Sequence, residues 1–110
     1  MSHASTISVT IVSWNSAAYL PACLDALAGQ TRMPFEVVVV DNGSTDESIR
    51  IAENHPVVTF VDQARENLGF SRGQNRAIAR TTSDWVLALN PDARLEHDFL
   101  AELSAALSRN

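Results

Sequence analysis

The sequence has little cysteine, little positive charge and no long apolar run. Its single cysteine, Cys23, has no partner for an internal disulfide or a structural zinc site, so we expect it to pack in the core. The net charge of −5 argues against non-specific nucleic-acid binding, which needs clustered positive charge. No stretch approaches the roughly 20 apolar residues that span a bilayer, and no basic-then-apolar leader opens the sequence. These absences predict a cytoplasmic protein without a transmembrane segment.

Several catalytic motifs are also missing. The sequence contains no GxSxG elbow and no Walker loop, which excludes the common hydrolase and P-loop classes. Its three histidines, His3, His55 and His97, have no metal-ligand spacing, so we expect them to be surface residues.

Alternating short apolar runs and amphipathic stretches predict an α/β fold. The length of 110 residues allows one compact domain, 1–110. The segment FEVVVVDNGSTD, residues 35–46, reads as a strand buried on both faces that ends in a polar turn at Gly43. Further strands are predicted over 7–12, 57–61 and 85–89. This alternation predicts a mostly parallel sheet with helices on both faces.

Helices are predicted between these strands. Apolar residues at helical spacing indicate helices over 19–29 and over about 95–107, with Gly29 ending the first of them. The pairs Ser44 with Glu47 and Ser71 with Gln74 have capping-box spacing. They predict helices from 44 to about 53, and from 71 to about 80 with Ala77 and Ile78 facing inward.

Four polar segments, SWNS, DNGSTD, DQARENLG and NPDA, follow the four strands. Because parallel strands end at one edge of a sheet, these segments are predicted to meet there, where α/β sheets bind ligands. Asp41 and Asp92 are the carboxylates at this edge. Either residue has an alternative role as a turn or cap residue, since Asp commonly satisfies free backbone N–H groups.

Three residues flank Gly69 near the predicted third helix. Asn67, Arg72 and Asn75 suit a phosphate or a polar base edge, or else they belong to an ordinary solvated helix end. Trp14 follows the first strand and serves either as a stacking platform or as a cap on the sheet.

The segments VTIVSWN, VVDNGSTD, ENLGFSRGQNRAI and ALNPDA resemble the N-terminal, nucleotide-sugar-binding half of a family 2 glycosyltransferase with the GT-A fold. The resemblance covers residues 10–107 and includes a similarity to bacterial rhamnosyltransferase-like members. It implies an inverting transferase that uses a nucleotide-diphosphate sugar and acts in cell-surface polysaccharide synthesis. A dTDP-rhamnose donor is the guess that this similarity offers.

The resemblance also implies roles for individual residues. Asp41 matches the acid that hydrogen-bonds the base, and Asp92 matches the last acid of a DxD motif that holds Mg²⁺ or Mn²⁺. Asn90 stands where the motif has its first acid, which leaves one carboxylate. The substrate-binding residues implied by the other motifs are Trp14, Asn15, Asn42, Asp46, Asn67, Arg72 and Asn75.

The length implies a fragment, because family members run well beyond 110 residues. The general base and the site for a saccharide or lipid-linked acceptor are expected beyond Asn110, in a protein that lies at the inner face of the membrane. The fragment alone is then expected to be inactive and to self-associate through surface left uncovered.

Two other functions compete with the transferase. A Rossmann-type dehydrogenase also places an acid after its second strand, but the loop SWNSAAY lacks the GxGxxG glycines. The other alternative is a non-catalytic nucleotide-binding or assembly module.

Overall fold

Four parallel strands form one sheet in a computed structural model that describes residues 5–109. They are β1 (Ile7–Ser13), β2 (Glu36–Asp41), β3 (Phe60–Gln63) and β4 (Trp85–Leu89), in the order β3-β2-β1-β4. Helices α1 (Leu20–Ala28), α2 (Ser48–Asn54), α3 (Phe70–Ile78) and α4 (Phe99–Ser108) follow one strand each. The predicted alternating α/β fold with a parallel sheet is therefore confirmed. His3 lies outside the described residues.

The four valines of β2 explain why helices cover both faces of the sheet. Val37 and Val39 pack into one hydrophobic cluster with α1 and α2, whereas Val38 and Val40 pack into a second cluster with Ala77 of α3. Successive side chains of a strand point to opposite faces, so a continuous apolar run serves both clusters. The first cluster consists of Val9, Ile11, Leu20, Cys23, Leu24, Leu27, Val37, Val39, Ala52 and Leu89.

A buried glutamine holds α4 to the end of α1. The Gln30 side chain accepts a hydrogen bond from the Leu100 N–H at 3.0 Å and donates one to the Glu96 carbonyl at 2.7 Å. Leu95 precedes α4 and packs against the first cluster. The segment before α4 is thereby held beside the sheet.

The third strand lies later in the chain than predicted. Val57 and Val58 pack against the first cluster from a turn, and β3 begins at Phe60. Its pairing with β2 places Asp62 opposite Val40, so Asp62 belongs to the strand and not to the polar loop. Val57, Val58 and Val61 are partly buried whereas Phe60 is 39% exposed, so the apolar pattern at 57–61 indicates neither full burial nor the bounds of the paired strand.

Both capping-box predictions are wrong. Helix α2 begins at Ser48 and α3 begins at Phe70, and neither is capped by a side chain at its N-cap residue. The Ser44 hydroxyl bonds to the Asp41 carboxylate, and the Gln74 side chain accepts a hydrogen bond from the Thr10 hydroxyl at 2.7 Å. Ser44 and Gln74 therefore form hydrogen bonds with Asp41 and Thr10 instead of capping the helices.

Two further predictions need correction. Ile78 is 41% exposed, whereas its neighbour Ala77 is buried as predicted. The His55 side chain is largely buried, because its Nε2 lies 2.8 Å from an Asp25 carboxylate oxygen and its Nδ1 accepts a hydrogen bond from the Val57 N–H. His55 therefore joins α1 to the turn before β3.

Candidate functional site

The loops after β1 and β2 are joined by hydrogen bonds at the carboxyl edge of the sheet. The Asn15 N–H donates to the Ser44 hydroxyl at 2.8 Å, and the Asn15 side chain accepts from the Thr45 N–H at 2.8 Å. The Ala17 N–H donates to the Asp46 carboxylate at 3.0 Å. Asn15 has a φ of +46°, a conformation that Asn tolerates better than most residues. These contacts fix both loops in one arrangement.

The carboxylate of Asp46 accepts hydrogen bonds from the loop after β1 and from the start of α2. Besides Ala17, it accepts hydrogen bonds from the N–H and hydroxyl of Ser48, the first residue of α2. The Ser48 hydroxyl is the main cause that lowers the pKa of Asp46, since it stabilises the charged form. Asp46 thus orders the loop, and three of the about four acceptor positions of its carboxylate are occupied.

Asp41 ends β2, whose residues after Glu36 are all buried, and is itself only 1% exposed. One carboxylate oxygen accepts from the Ser44 N–H at 2.8 Å and the other accepts from the Ser44 hydroxyl at 2.7 Å. A carboxylate offers about four acceptor positions, so two remain for another donor. Because β2 is paired with β1 on one side and with β3 on the other, Asp41 is held in a fixed position as a hydrogen-bond acceptor.

Asn42 connects the loop after β2 to the loop between β3 and α3. Its N–H donates to the Ser13 carbonyl at 2.8 Å, and its side-chain amide donates to the Gly69 carbonyl at 3.1 Å. The amide oxygen of Asn42 and the Ser13 hydroxyl are buried, and neither has a hydrogen-bond partner among residues 5–109. Unpaired buried polar atoms cost stability, which makes this junction a place where a ligand or solvent group would be favoured.

The loop between β3 and α3 lies directly over the turn after β2. Gly43 has a φ of +78°, and a Cβ atom there would lie 3.1 Å from the backbone of Glu66. Only glycine fits this approach without strain. The loop between β3 and α3 therefore packs closely on the turn that follows Asp41.

Helix α3 approaches the sheet closely at Gly73. A Cβ atom on Gly73 would lie 2.9 Å from a methyl group of Val12 and 3.2 Å from the Asn42 amide nitrogen. Arg72 and Asn75 lie on the exposed side of this helix, and Asn67 accepts a hydrogen bond from the Gly69 N–H before it. The close packing of α3 on the sheet therefore fixes the positions of the exposed side chains of this helix.

Asp92 lies on the other side of β1, in the loop after β4. It lines an open cleft of about 240 Å³ together with Ala18, Tyr19, Ala22 and Arg94. The loop rests on Cys23, whose thiol lies 3.8 Å from the Asn90 carbonyl. Burial, and secondarily the charge of Asp92, raises the pKa of Cys23 to about 11, which suits an inert core residue.

Asp41 ends β2 and Asp92 follows β4, and these two strands are separated only by β1. With neighbouring strands about 4.8 Å apart, the two strand ends are roughly 10 Å apart. Trp14 follows β1 between them and is 54% exposed. The carboxyl edge thus presents the Asp41 carboxylate, the Trp14 ring and the Asp92 carboxylate in a row. This row is longer than the binding site of a single ion. Within residues 5–109, no group of three or more His, Cys, Asp or Glu residues is arranged to hold a metal.

A larger cavity, about 320 Å³, lies away from this edge. It is lined by residues of α2 and by the chain leading into and through β3. None of the predicted site residues lines it. The carboxyl edge, with its polar loops, is the better candidate despite its smaller cleft.

The family model for Glycosyl transferase family 2 matches residues 8–110. The chain belongs to glycosyl transferase family 2. This family 2 chain is also 38% identical over 112 residues to a PGL/p-HBAD biosynthesis glycosyltransferase of Mycobacterium bovis, a match that covers 94% of the chain and 42% of the relative.

Solved structures agree with this membership and confirm the GT-A fold. S. aureus TarS, residues 1–349 with UDP-GlcNAc, superposes with a TM-score of 0.88 at 30% identity, over 94% of this chain and 31% of that one. The mannosyltransferase PcManGT from Pyrobaculum calidifontis, with GDP-Man and Mn²⁺, gives 0.77 at 31% identity, over 94% and 32%. The family 2 chain therefore spans less than half the length of each of these relatives.

Some parts of the site could not be read from the sequence. Ser44, which holds Asp41, was taken for a helix cap, and Tyr19 and Arg94 carried no motif that linked them to Asp92. The sequence also does not reveal the ion pair of the buried Asp62 with the partly exposed Arg76, because Asp62 falls in a segment that is predicted to be a loop. None of the helices in the described part of this family 2 chain has the length and apolarity to cross a membrane.

Proposed function

We propose that this chain binds the nucleotide-diphosphate sugar donor of a glycosyltransferase at the carboxyl edge of its sheet. The observation that carries the proposal is the buried, doubly hydrogen-bonded Asp41 at the end of β2, in a chain of glycosyl transferase family 2. Ligand-bound relatives hold UDP-GlcNAc and GDP-Man. A donor spanning the site would extend from Asp41 past Trp14 towards Asp92.

In this proposal Asp41 recognises the base. A carboxylate that is held by Ser44 and retains free acceptor positions suits the N–H of a pyrimidine or purine. Asp41 is almost fully buried at the end of β2, and the backbone of Glu66 lies close to Gly43 in the turn that follows it.

The remaining predicted residues have supporting roles in the proposal. Trp14 offers an exposed ring for stacking, and Arg72 and Asn75 offer donors from the exposed side of α3. The side chains of Asn15, Asn42, Asp46 and Asn67 are engaged with backbone groups, so we assign them to shaping the pocket.

A divalent cation fits the site in one particular way. Asp92 forms no side-chain hydrogen bond with the described residues, and among them it belongs to no group of three or more His, Cys, Asp or Glu residues that could hold a metal. Mg²⁺ and related ions are commonly held by one or two carboxylates together with substrate phosphates. Asp92 would therefore share the cation with the diphosphate, and the bound cation would neutralise charge on the leaving diphosphate.

Transfer of the sugar also requires an acceptor site and a general base, and we assign neither role to the residues described above. We propose that the acceptor site and the general base of an inverting reaction lie in another part of the protein, since the chain spans 42% of its M. bovis relative. A dTDP-rhamnose donor, a lipid-linked or saccharide acceptor and a place at the inner face of the membrane remain parts of this proposal. The exposed side chains of Trp85 and Val86 on the edge strand β4 support self-association of the isolated chain.

Thermal unfolding with added nucleotides tests the proposal. UDP, GDP or dTDP at about 100 times its dissociation constant should stabilise the chain by about 2.7 kcal/mol. Asp41→Ala should remove the stabilisation with and without Mn²⁺. Asp92→Asn should remove only the additional stabilisation that Mn²⁺ provides, which separates the two carboxylates.

The alternatives predict different results. Stabilisation by NAD without an effect of nucleoside diphosphates would favour a dehydrogenase. No stabilisation by any nucleotide would favour an assembly module. A loss of nucleotide binding in Glu53→Gln, a variant in the distant cavity, would argue that the ligand lies there instead.

A further inference from the structure

Positive charge is concentrated in one segment of the chain. All eight cationic residues are arginines, and four of them lie within residues 65–80 together with a single acid, Glu66. The other four arginines are spread among twelve acidic residues in the rest of the sequence. The net charge of −5 is therefore the sum of a positive segment, which consists of α3 and the residues on either side of it, and a strongly acidic remainder.

Three of these arginines form a row along α3. Arg72, Arg76 and Arg80 are four residues apart, a spacing that places side chains on the same side of a helix. Ala79 keeps helical backbone angles after the last residue of α3, so Arg80 continues the row. At a rise of about 1.5 Å per residue the row is about 12 Å long. The side chains of Arg76 and Arg80 are 43% and 51% exposed, so this arginine row is open to a ligand.

Nearby acids balance only part of this charge. Arg76 donates to both carboxylate oxygens of the buried Asp62, at 2.7 and 2.8 Å, and the Arg80 Nε lies 3.8 Å from the same carboxylate. Glu66 contributes a weaker electrostatic interaction with Arg76. An arginine has five N–H donors, so about three of those on Arg76 remain available. One buried carboxylate thus faces two guanidinium groups that keep free donors.

Arg65 and Arg72 add two charges without a counter-ion. Both side chains are exposed, and neither forms an ion pair within residues 5–109. Arg65 has a φ of +67°, which a bulky residue rarely adopts, and the backbone of the next residue packs beside Gly43. The loop before α3 therefore holds Arg65 in a fixed backbone conformation.

The arginine row extends away from the proposed donor site. Arg72 lies near the carboxyl edge of the sheet, where the Asn42 side chain bonds to the Gly69 carbonyl at the start of α3. At the other end, the guanidinium carbon of Arg80 lies 4.4 Å from the centre of the Phe60 ring. Phe60 is the first residue of β3, so Arg80 lies at the opposite end of the sheet. A donor at the carboxyl edge gives no role to Arg80.

We propose that the arginine row and Arg65 bind the phosphate head groups of an anionic lipid surface. The inference rests on the proposed function, which includes a location at the inner face of the membrane. The cytoplasmic leaflet carries anionic lipids, and guanidinium groups bind phosphate with two N–H donors at a time. The ring of Phe60, 39% exposed beside Arg80, is suited to the boundary between head groups and acyl chains.

The length of the row favours lipid over nucleic acid. Non-specific binding of nucleic acid depends on many phosphate contacts along an extended polyanion, which the acidic remainder of the chain would repel. A row of about 12 Å reaches few of those phosphates. Lipid head groups each bring one phosphate and diffuse laterally to the arginines, so a short row is sufficient.

Sedimentation with vesicles tests the proposal. The chain should bind phosphatidylcholine vesicles that contain phosphatidylglycerol, and it should not bind vesicles of phosphatidylcholine alone. Binding should weaken as the salt concentration rises from about 0.1 to about 1 M, because the Debye length falls from about 10 to about 3 Å. Arg65→Gln/Arg80→Gln should weaken the partition coefficient about 25-fold, at about fivefold for each arginine.

A matched control changes the net charge by the same amount elsewhere. Arg50→Gln/Arg109→Gln removes one arginine from α2, which packs on the opposite face of the sheet from α3, and one from the end of α4. This variant should bind anionic vesicles within about twofold of the unsubstituted chain. Arg76 is not substituted because it holds Asp62, and Arg72 is not substituted because it belongs to the proposed donor site.

Two results would overturn the inference. One is an absence of binding to anionic vesicles, including the case in which the chain binds poly(U) and loses that binding in Arg65→Gln/Arg80→Gln. The other is an equal loss of vesicle binding in the two double variants, which would mean that net charge alone is responsible. Thermal stabilisation by UDP, measured on the same samples, shows that each variant is folded. It also tests the donor site separately, since neither Arg65 nor Arg80 belongs to that site.

Discussion

The close contact between α3 and the sheet gives a quantitative prediction for Gly73→Ala. Alanine is favoured over glycine inside a helix by about 1 kcal/mol, so an unconstrained site would be stabilised. At Gly73 the new methyl group would lie 2.9 Å and 3.1 Å from the two methyl groups of Val12. Valine is stiff about χ1 and Val12 is buried, so it cannot turn away easily.

Overpacking of this kind costs about 1–3 kcal/mol, and the Asn42 amide at 3.2 Å adds a second constraint. After subtraction of the gain of about 1 kcal/mol in helix propensity, we expect Gly73→Ala to lower the free energy of unfolding by up to about 2 kcal/mol. Urea denaturation should show a lower midpoint with an unchanged slope. The exposed Ser71→Ala on the same helix is the control and should be neutral or slightly stabilising.

A double-mutant cycle identifies the cause. Val12→Ala alone should cost about 1.5 kcal/mol through lost burial. In combination with Gly73→Ala the total cost should be smaller than the sum by about 1 kcal/mol, because the clash is relieved. Additive effects, or a Gly73→Ala variant at least as stable as the unsubstituted chain, would refute the packing argument.

Three further predictions concern single groups. The guanidinium of Arg76, bonded to the buried Asp62 at 2.7 and 2.8 Å, lowers the pKa of Asp62 below 3.8. Arg76→Gln should therefore lower the midpoint of urea unfolding at pH 7, and this deficit should shrink as the pH falls below about 4. Cys23, with its pKa raised to about 11, should react with a thiol reagent at pH 8 only after unfolding. Asn15→Ala should cost about 1–2 kcal/mol, and Asn15→Gly less, although both lose the bond to Thr45.

The signs and controls follow from the same contacts. A carboxyl whose pKa is lowered on folding stabilises the chain above its ordinary pKa, and that contribution is lost as the pH falls through the lower value. A deficit in Arg76→Gln that is constant from pH 7 to 3 would contradict the ion-pair argument. Rapid labelling of native Cys23 would contradict its burial, and equal costs for the two substitutions of Asn15 would mean that its positive φ carries no strain.

Much of the fold followed from sequence because the strongest patterns were local. The valine run of β2, the helical spacing of Leu20, Leu24 and Leu27, and the polar segments after each strand predicted the parallel sheet and its polar edge. β3 was misplaced because Val57 and Val58 are buried without pairing. Burial and strand formation give the same apolar pattern, and only the register with β2 distinguishes them.

The details of the edge were less predictable, since several of its contacts join residues distant in sequence, such as Asn15 with Ser44 and Thr45. Ser44 and Gln74 have the spacing of caps, but Asp41 and Thr10 offered them better-placed partners in the folded chain. The residues that resemble family motifs remain predictions for ligand binding. The cleft that unites Tyr19 with Arg94 required coordinates, because the two residues are 75 positions apart and no motif joins them.

The four consecutive valines of β2 have a consequence for how the strand is aligned. A shift of one residue would replace valine by valine on both faces, so the apolar side chains alone hardly oppose slippage. Alignment therefore depends on the two acids that flank the run. Glu36 accepts hydrogen bonds from the Ser8 hydroxyl and the Thr82 N–H, both at 2.7 Å, and Asp41 is held by Ser44. The residue proposed to recognise the base thus also helps to keep its own strand from sliding.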